Sequence, residues 1–337
     1  MVPHLPAAAL VVGLVFLLSF RIGLNVVDSN VIDVGYAGVI GADRIADGDP
    51  LYGKGFSGDV EHGDTYGPVN YLLYVPFEQA FSWSGAWDDL PAAHGAAIAF
   101  DLLAIVGLLL LGRRLRSGRE GLVLGVALGY AWTAYPYTAF VLESNANDTL
   151  VALACVGALL ALTLRRPADG LVGGLALASG AAAKFVPLAL APLFARRSTL
   201  IFLGTLALVL AATVLPFVPD GGLRELYDRT IGYQAGRPSP FAVWGQVDLA
   251  PLHTAIKVAA VGLALLVALV PRRPTPRQVA ALGAAVLIAV QLAATHWFYL
   301  YVVWFVPFVL VAIFGAYRTP PAAQPATAER ERELVTV

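Results

Sequence analysis

Cysteine is almost missing from this chain: Cys155 is the only one among 337 residues, and it lies in an apolar run. A lone cysteine excludes an intrachain disulfide, a CxxC redox pair and a zinc-finger ligand set, and its surroundings suit a small core residue. Charge is scarce as well. Only 13% of residues are charged against 58% hydrophobic, and a mean hydropathy of +0.72 is too apolar for a water-soluble domain. The net charge of -1 gives no footing for a nucleic-acid partner. Lysine is the rarer cation, with three residues against 19 arginines. What is present is an all-α polytopic membrane protein.

The first apolar run, residues 5–24, has no basic stretch ahead of it, and about 20 residues fit a full bilayer crossing, so it reads as a retained helix rather than a cleaved signal. Further apolar segments cover residues 91–111, 121–142, 150–164, 171–194, 200–218, 252–270, 279–294 and 298–316. Each is long enough for about 30 Å of hydrocarbon, except the short 150–164. Residues 319–337, rich in Pro, Ala and alternating Glu/Arg, have no apolar face to bury and read as a disordered cytoplasmic tail on a single transmembrane domain of residues 1–318.

Arginine sets the expected orientation. Arg113, Arg114, Arg116 and Arg119 form one cluster, followed by Arg165 and Arg166, Arg196 and Arg197, Arg272, Arg273 and Arg277, and Arg318, all in short loops or at helix ends. The positive-inside rule makes these loops cytoplasmic, and the long loops 26–66 and 219–251, with the turn 143–148, extracytoplasmic. Two segments then cannot be simple spans. Residues 171–194 have arginine pairs at both ends, so they should form a hairpin of two short helices broken near Lys184 and Pro187; residues 68–83, with Pro76 and Glu78, should re-enter on the outer side. Broken backbone at membrane depth is tolerated where it is buried in protein or lines a cavity, so both anomalies point to an outward-facing cavity. The count is about ten membrane helices with both termini cytoplasmic, in a plasma-membrane protein.

The ionisable residues fall around that cavity. Lys184 has about ten apolar residues on either side, where an ammonium costs about 3 kcal/mol to insert and needs a partner; the alternative is a lysine snorkelling to an interface. His296 opens the last span on the outer side, either as a donor to an anionic group or as an interfacial histidine among Trp297, Tyr299 and Tyr301. Arg21, near the outer end of the first helix, is a second possible phosphate contact, with snorkelling as its plainer role. The first loop carries Asp28, Asp33, Asp43, Asp47 and Asp49. If residues 31–46 are helical, Asp33, Tyr36 or Ala37, Ile40, Arg44 and Asp47 share a stripe, and Asp33 begins an amphipathic helix lying along the interface, complementing its dipole. Asp47-Gly48-Asp49 has the spacing of a metal-gripping pair, yet a turn explains it at least as well, and no metal is expected. Glu143 and Asn147, in LESNANDTL, are placed to meet a polar substrate, with helix capping by Asn147 or Asp148 as the competing role.

These residues fall into a recognisable order. Asp33 and Tyr36 in DVGY, then GDPLY at residues 48–52, YGP at 66–68 with Pro76 beyond, ESNANDTLVAL, GAAAKFVP ending at Pro187, PSPFAVWGQ at 238–246, and His296 with its aromatic neighbours together resemble the polyprenol-phosphate-dependent glycosyltransferases of family 87. These are the phosphatidylinositol-mannoside mannosyltransferases, with the GT-C membrane fold. The resemblance covers most of residues 33–307 through short motifs whose order carries the weight. It implies inverting transfer of a sugar, mannose first and arabinofuranose as the alternative, from a polyprenyl-phosphate donor to a lipid or glycan acceptor hydroxyl outside the membrane. It also implies Asp33 as general base, with Asp28 or Asp43 still open for that role, and Lys184 and His296 as holders of the donor phosphate; Arg21 joins them as a candidate from its position alone. Asn30, Tyr36, Tyr66, Glu143 and Asn147 are the candidate substrate contacts. No cofactor is expected, since the lipid-linked sugar is itself a substrate.

Two other classes compete. A secondary transporter also uses broken helices and a buried lysine, but should show a matching broken segment in its other half, for which residues 68–83 are a weak candidate. A non-catalytic membrane scaffold needs no carboxylate, lysine and histidine around one cavity.

Overall fold

The computed structural model describes residues 6–316; Arg318 and the expected tail 319–337 lie outside the described residues. Among the described residues the secondary structure is helical throughout. In chain order the helices are α1 (Ala7–Val27), α2 (Asp33–Asp47), α3 (Pro68–Leu72), α4 (Val75–Ala80), α5 (Pro91–Leu115), α6 (Gly118–Thr133), α7 (Pro136–Glu143), α8 (Thr149–Ala161), α9 (Ala168–Lys184), α10 (Ala191–Phe194), α11 (Thr199–Val214), α12 (Gly222–Tyr227), α13 (Tyr233–Gly236), α14 (Val243–Gln246), α15 (Ala250–Leu266), α16 (Pro276–Ala293) and α17 (Val306–Phe314). Short 3₁₀ turns join several of them.

Four of these stretches are long and apolar enough to cross a bilayer: Ala7–Val27, Pro91–Leu115, Thr199–Phe217 and Pro276–Ala293. Residues 252–270 form the shorter unbroken helix α15, while other expected spans appear as interrupted helices, and proline explains the interruptions. Pro136 cannot donate into the preceding turn, so residues 121–142 divide between α6 and α7, and Pro307 opens α17 after the 3₁₀ run Tyr299–Trp304. The short segment at 150–164 becomes α8, which is buried on nearly every side at the centre of the bundle. Helices α1 and α11 and the outer flank of α15 instead leave large apolar residues exposed, among them Phe16, Leu208 and Val258.

Residues 171–194 do turn back. Helix α9 ends at Lys184, Phe185 takes a φ of 26°, and the chain returns through the 3₁₀ turn Val186–Leu190 and α10. Arg197 then pairs at 3.3 Å with Asp169, in the first turn of α9, and Ser198 Oγ donates to the same carboxylate at 2.7 Å. The arginine-bearing loops form one end of the molecule. Arg196 donates to the Val267 carbonyl, Arg197 to that of Leu162, Arg277 to that of Ala312 and Arg116 to that of Gly315, each closing a helix end whose carbonyls lack a partner. Lys184 lies at the opposite end of α9, about 22 Å away at 1.5 Å per residue.

Helix α2, expected as an amphipathic helix along the interface, is packed within the protein over most of its length. Val34 through Ala42 are all buried, because α3 and α4 pack along it and the rings of Tyr74 and Tyr71 lie where a Cβ on Gly38 or Gly41 would clash. The Asp47-Gly48-Asp49 sequence is its C-terminal cap: Gly48 is left-handed at φ 77° and Asp49 N–H donates to the Arg44 carbonyl at 2.8 Å. The turn reading holds there.

Candidate functional site

The site is assembled where the two broken segments meet. Gly67 begins the contact: its N–H donates to the Ala183 carbonyl at 3.1 Å, and a Cβ on it would sit 2.0 Å from the Ala182 carbonyl oxygen. Only glycine lets this loop lie against the last turn of α9, and that puts Tyr66 beside Lys184.

Lys184 closes α9, where a cation complements the helix C-terminus. Its partner is Asp148, at 2.7 Å, with both side chains nearly sealed from solvent. The same Asp148 oxygen accepts from Trp304 Nε1 at 2.8 Å. The ammonium also lies 5.2 to 5.8 Å from the ring centres of Tyr66, Tyr301 and Trp304, a cation–π surround. An ammonium has three donors, and the other two meet no acceptor among the described residues. Lys184 faces a cavity, so those donors are available to a ligand there.

Two cavities join at this lysine. One, of about 580 Å³, is lined by Asn30, Asp33, Glu143, Lys184, Arg237 and His296. The other, of about 680 Å³, is an apolar groove between α15, α16 and the 3₁₀ turn after α9, with Leu188, Ala260, Val261, Ala264 and Val290 on its walls. Lys184, His296, Tyr66 and Tyr301 belong to both.

Asp33 is the first residue of α2, with its side chain exposed to the cavity. One carboxylate oxygen accepts the Val34 N–H at 2.9 Å, which orients it without covering the other oxygen. His296 Nδ1 lies 3.2 Å from the Pro238 carbonyl, so a neutral ring carries its proton there and presents Nε2. Burial lowers its pKa below the ordinary histidine value; the Pro238 carbonyl and Asp33 oppose this, while Arg237 and Lys184 reinforce it. Glu143, the last residue of α7, has neither oxygen hydrogen-bonded. Burial pushes its pKa up to about 7, Arg21 holding it down and Asp28 adding to the rise. It can therefore donate or accept a proton near neutrality.

Of the residues singled out from the sequence, Asp33, Lys184, His296, Asn30, Tyr66 and Glu143 share the polar cavity. Three do not. Arg21 neither snorkels nor faces the site: it is buried within α1, pairs with Asp101 at 3.2 Å and donates to the Thr138 carbonyl, so its charge is already met. Tyr36 points away, stacked on Trp87 at 3.6 Å with its hydroxyl donating to the Asp88 carbonyl. Asn147 is fully buried and donates to Asn70 Oδ1 at 2.7 Å, tying α3 to the turn before α8. Among the rival bases, Asp28 caps α1 and Asp43 lies further along α2; neither lines the cavity that holds Asp33.

Sequence reasoning missed Asp148 and Arg237. From the sequence Asp148 reads only as a helix cap, although Lys184 plainly needs a partner. Arg237 lines the polar cavity directly before Pro238, and its guanidinium meets no acceptor among the described residues. The other arginines of that loop are paired, Arg224 with Asp228 and Arg229 with Asp64 and Glu225. Lys257, the lysine of α15, lies on the wall of the apolar groove. The arrangement offers a carboxylate facing a polar cavity, three cationic or imidazole groups on the walls of that cavity, and an apolar groove that shares Lys184 and His296 with it. Compared with protein-family models and with curated proteins, the chain matches none.

Proposed function

We propose that this chain is a membrane glycosyltransferase of the GT-C type, with about ten membrane helices, that moves a sugar from a polyprenyl-phosphate donor to an acceptor hydroxyl on the extracytoplasmic side. The observation that carries this reading is the meeting of an apolar groove and a polar cavity at Lys184 and His296. A lipid phosphate needs that combination: a dry channel for its hydrocarbon chain, cations at the channel's inner end for its phosphate, and a polar space beyond for its sugar. The order of short motifs resembling family 87 supports it, and mannose is the first sugar to test.

In this reading Asp33 takes the proton from the acceptor hydroxyl as that oxygen bonds to the anomeric carbon. The bond from the anomeric carbon to the phosphate oxygen breaks on the opposite face, and its electron pair leaves with the phosphate. Lys184 and Arg237 stabilise the departing charge, joined by His296 when a proton on Nε2 makes its ring an imidazolium, and the single displacement inverts the anomeric centre.

The test is incubation of the purified protein with radiolabelled polyprenyl-phosphate sugars and a membrane lipid extract. Label is expected to move to a lipid or glycan product, with mannose the best donor. Asp33→Asn is expected to lower the rate by a factor of about 10² to 10⁴ with lipid-phosphate binding kept. Lys184→Ala is expected to lose that binding. Wild-type rates in both variants would sink the mechanism.

A further inference from the structure

A third cavity, of about 360 Å³, lies on the other side of Asp33 and differs in kind from the groove. Asp33, Val34, Tyr66 and Arg237 are common to it and to the reaction cavity, so the Asp33 carboxylate stands where the two spaces meet. Its remaining polar and aromatic walls are Glu61, His62, Thr65 and Tyr233, with Ala37, Val60 and two glycines between them. Carboxylates face a guanidinium and an imidazole here, a balance that suits a neutral, hydroxyl-rich ligand better than an anion. The rings of His62 and Tyr233 lie together, centroids 4.7 Å apart and 32° from coplanar. An aromatic face carries negative charge density, which attracts the weakly positive C–H face of a sugar ring.

The cavity is a built one. Its two walls come from segments far apart in sequence and are locked together. Arg229 pairs with the buried Asp64 at 2.9 Å and donates to the Gly53 carbonyl, and Gln234 Nε2 donates to Thr65 Oγ1 at 3.0 Å. These contacts hold Tyr233 against His62 without using any polar group that faces the cavity except Thr65.

We infer that this cavity is the acceptor subsite and takes a neutral carbohydrate of one or two rings, with its reacting hydroxyl directed to Asp33. The assignment rests on the glycosyltransferase reading above. Glu61 and Arg237 hold the remaining hydroxyls, and Tyr233 with His62 covers one face of the ring.

The experiment uses the full chain in lipid nanodiscs, with methyl α-D-mannopyranoside and methyl β-D-glucopyranoside as probes read by saturation-transfer NMR, and polyprenyl phosphate titrated separately. The wild type is expected to bind at least one glycoside. Tyr233→Ala is expected to weaken that binding about tenfold while polyprenyl-phosphate affinity stays the same, and Tyr233→Trp to restore it. Glycoside binding that is absent in the wild type, or equal in wild type and Tyr233→Ala, overturns the subsite. Glycoside binding lost in Tyr233→Ala from a wild type that binds no polyprenyl phosphate leaves the carbohydrate site standing and overturns the glycosyltransferase reading instead.

Discussion

An ammonium and a carboxylate 2.7 Å apart, both nearly sealed from solvent, add little net stability by their attraction. Removing two charges from water offsets most of their attraction, whereas breaking such a pair costs about 3–5 kcal/mol because one charge is left uncompensated. Asp148→Ala is therefore expected to lower the thermal midpoint sharply in detergent, while the double variant Lys184→Met with Asp148→Leu recovers most of it and still fails to bind polyprenyl phosphate. Recovery of both properties would show that the pair is only structural. Glu143 gives a pH signature. Its pKa of about 7 in the fold stands above the ordinary 4.5, so between those values the folded chain holds a proton that the unfolded chain has released. Stability from this group is complete below about pH 4.5 and is lost as pH rises through about 7. Melting curves across that range should fall with rising pH, and Glu143→Gln should flatten them. Lys184 was legible as a residue needing a partner because hydropathy exposes a lone charge. Arg21 was misread for the converse reason: its partner Asp101 lies in another apolar helix, and no local pattern shows which charges face each other.

At the scale of elements, the cavity exists because helices stop. Lys184 ends α9 at a residue followed by a left-handed Phe185, and Tyr66 reaches it only because Gly67 allows backbone to touch backbone. Gly67→Ala places a methyl 2.0 Å from the Ala182 carbonyl oxygen, a contact that neither backbone can relieve without moving. Overpacking of this kind costs about 1–3 kcal/mol. The variant is expected to keep its helical circular dichroism while the donor KM rises, as Tyr66 shifts off Lys184; an unchanged KM would detach the loop from the site. The break at Lys184 and Pro187 was readable from arginines at both ends of one apolar run. The burial of α2 was not, since Gly38 and Gly41 lie off the stripe of Asp33, Ile40, Arg44 and Asp47, and nothing in the local pattern shows that the Tyr74 and Tyr71 rings pack on them.

At the scale of the molecule, the arginine-closed helix ends gather at one end and the candidate site at the other, about 22 Å along α9. With the positive-inside rule this gives the proposed orientation. Cys155 is fully buried, so it does not interfere with added thiols. In intact cells a membrane-impermeant maleimide is expected to label Ser57→Cys and Asp220→Cys, and to label Arg119→Cys and Thr275→Cys only after the membrane is opened. The reverse pattern would place Asp33 inside the cell and end the extracytoplasmic reading.

Local physics belongs to the sequence: which runs are apolar, where proline and paired arginines interrupt them, and that a lysine among them needs an anion. From these alone follow the apolar helical runs, the turn at Lys184 and the clustering of arginine at one end, though not which of those runs stay unbroken over a bilayer's width. Which charges meet is a matter of tertiary structure, because the partners stand far apart in the chain, 36 residues for Lys184 and Asp148 and 165 for Arg229 and Asp64. Among the five acids of the first long loop, only packing decided that Asp33 faces the cavities, through the burial of α2 against α3, α4 and α5. The same packing turned Tyr36 away and brought in Arg237, whose local sequence carries no sign of the space it lines.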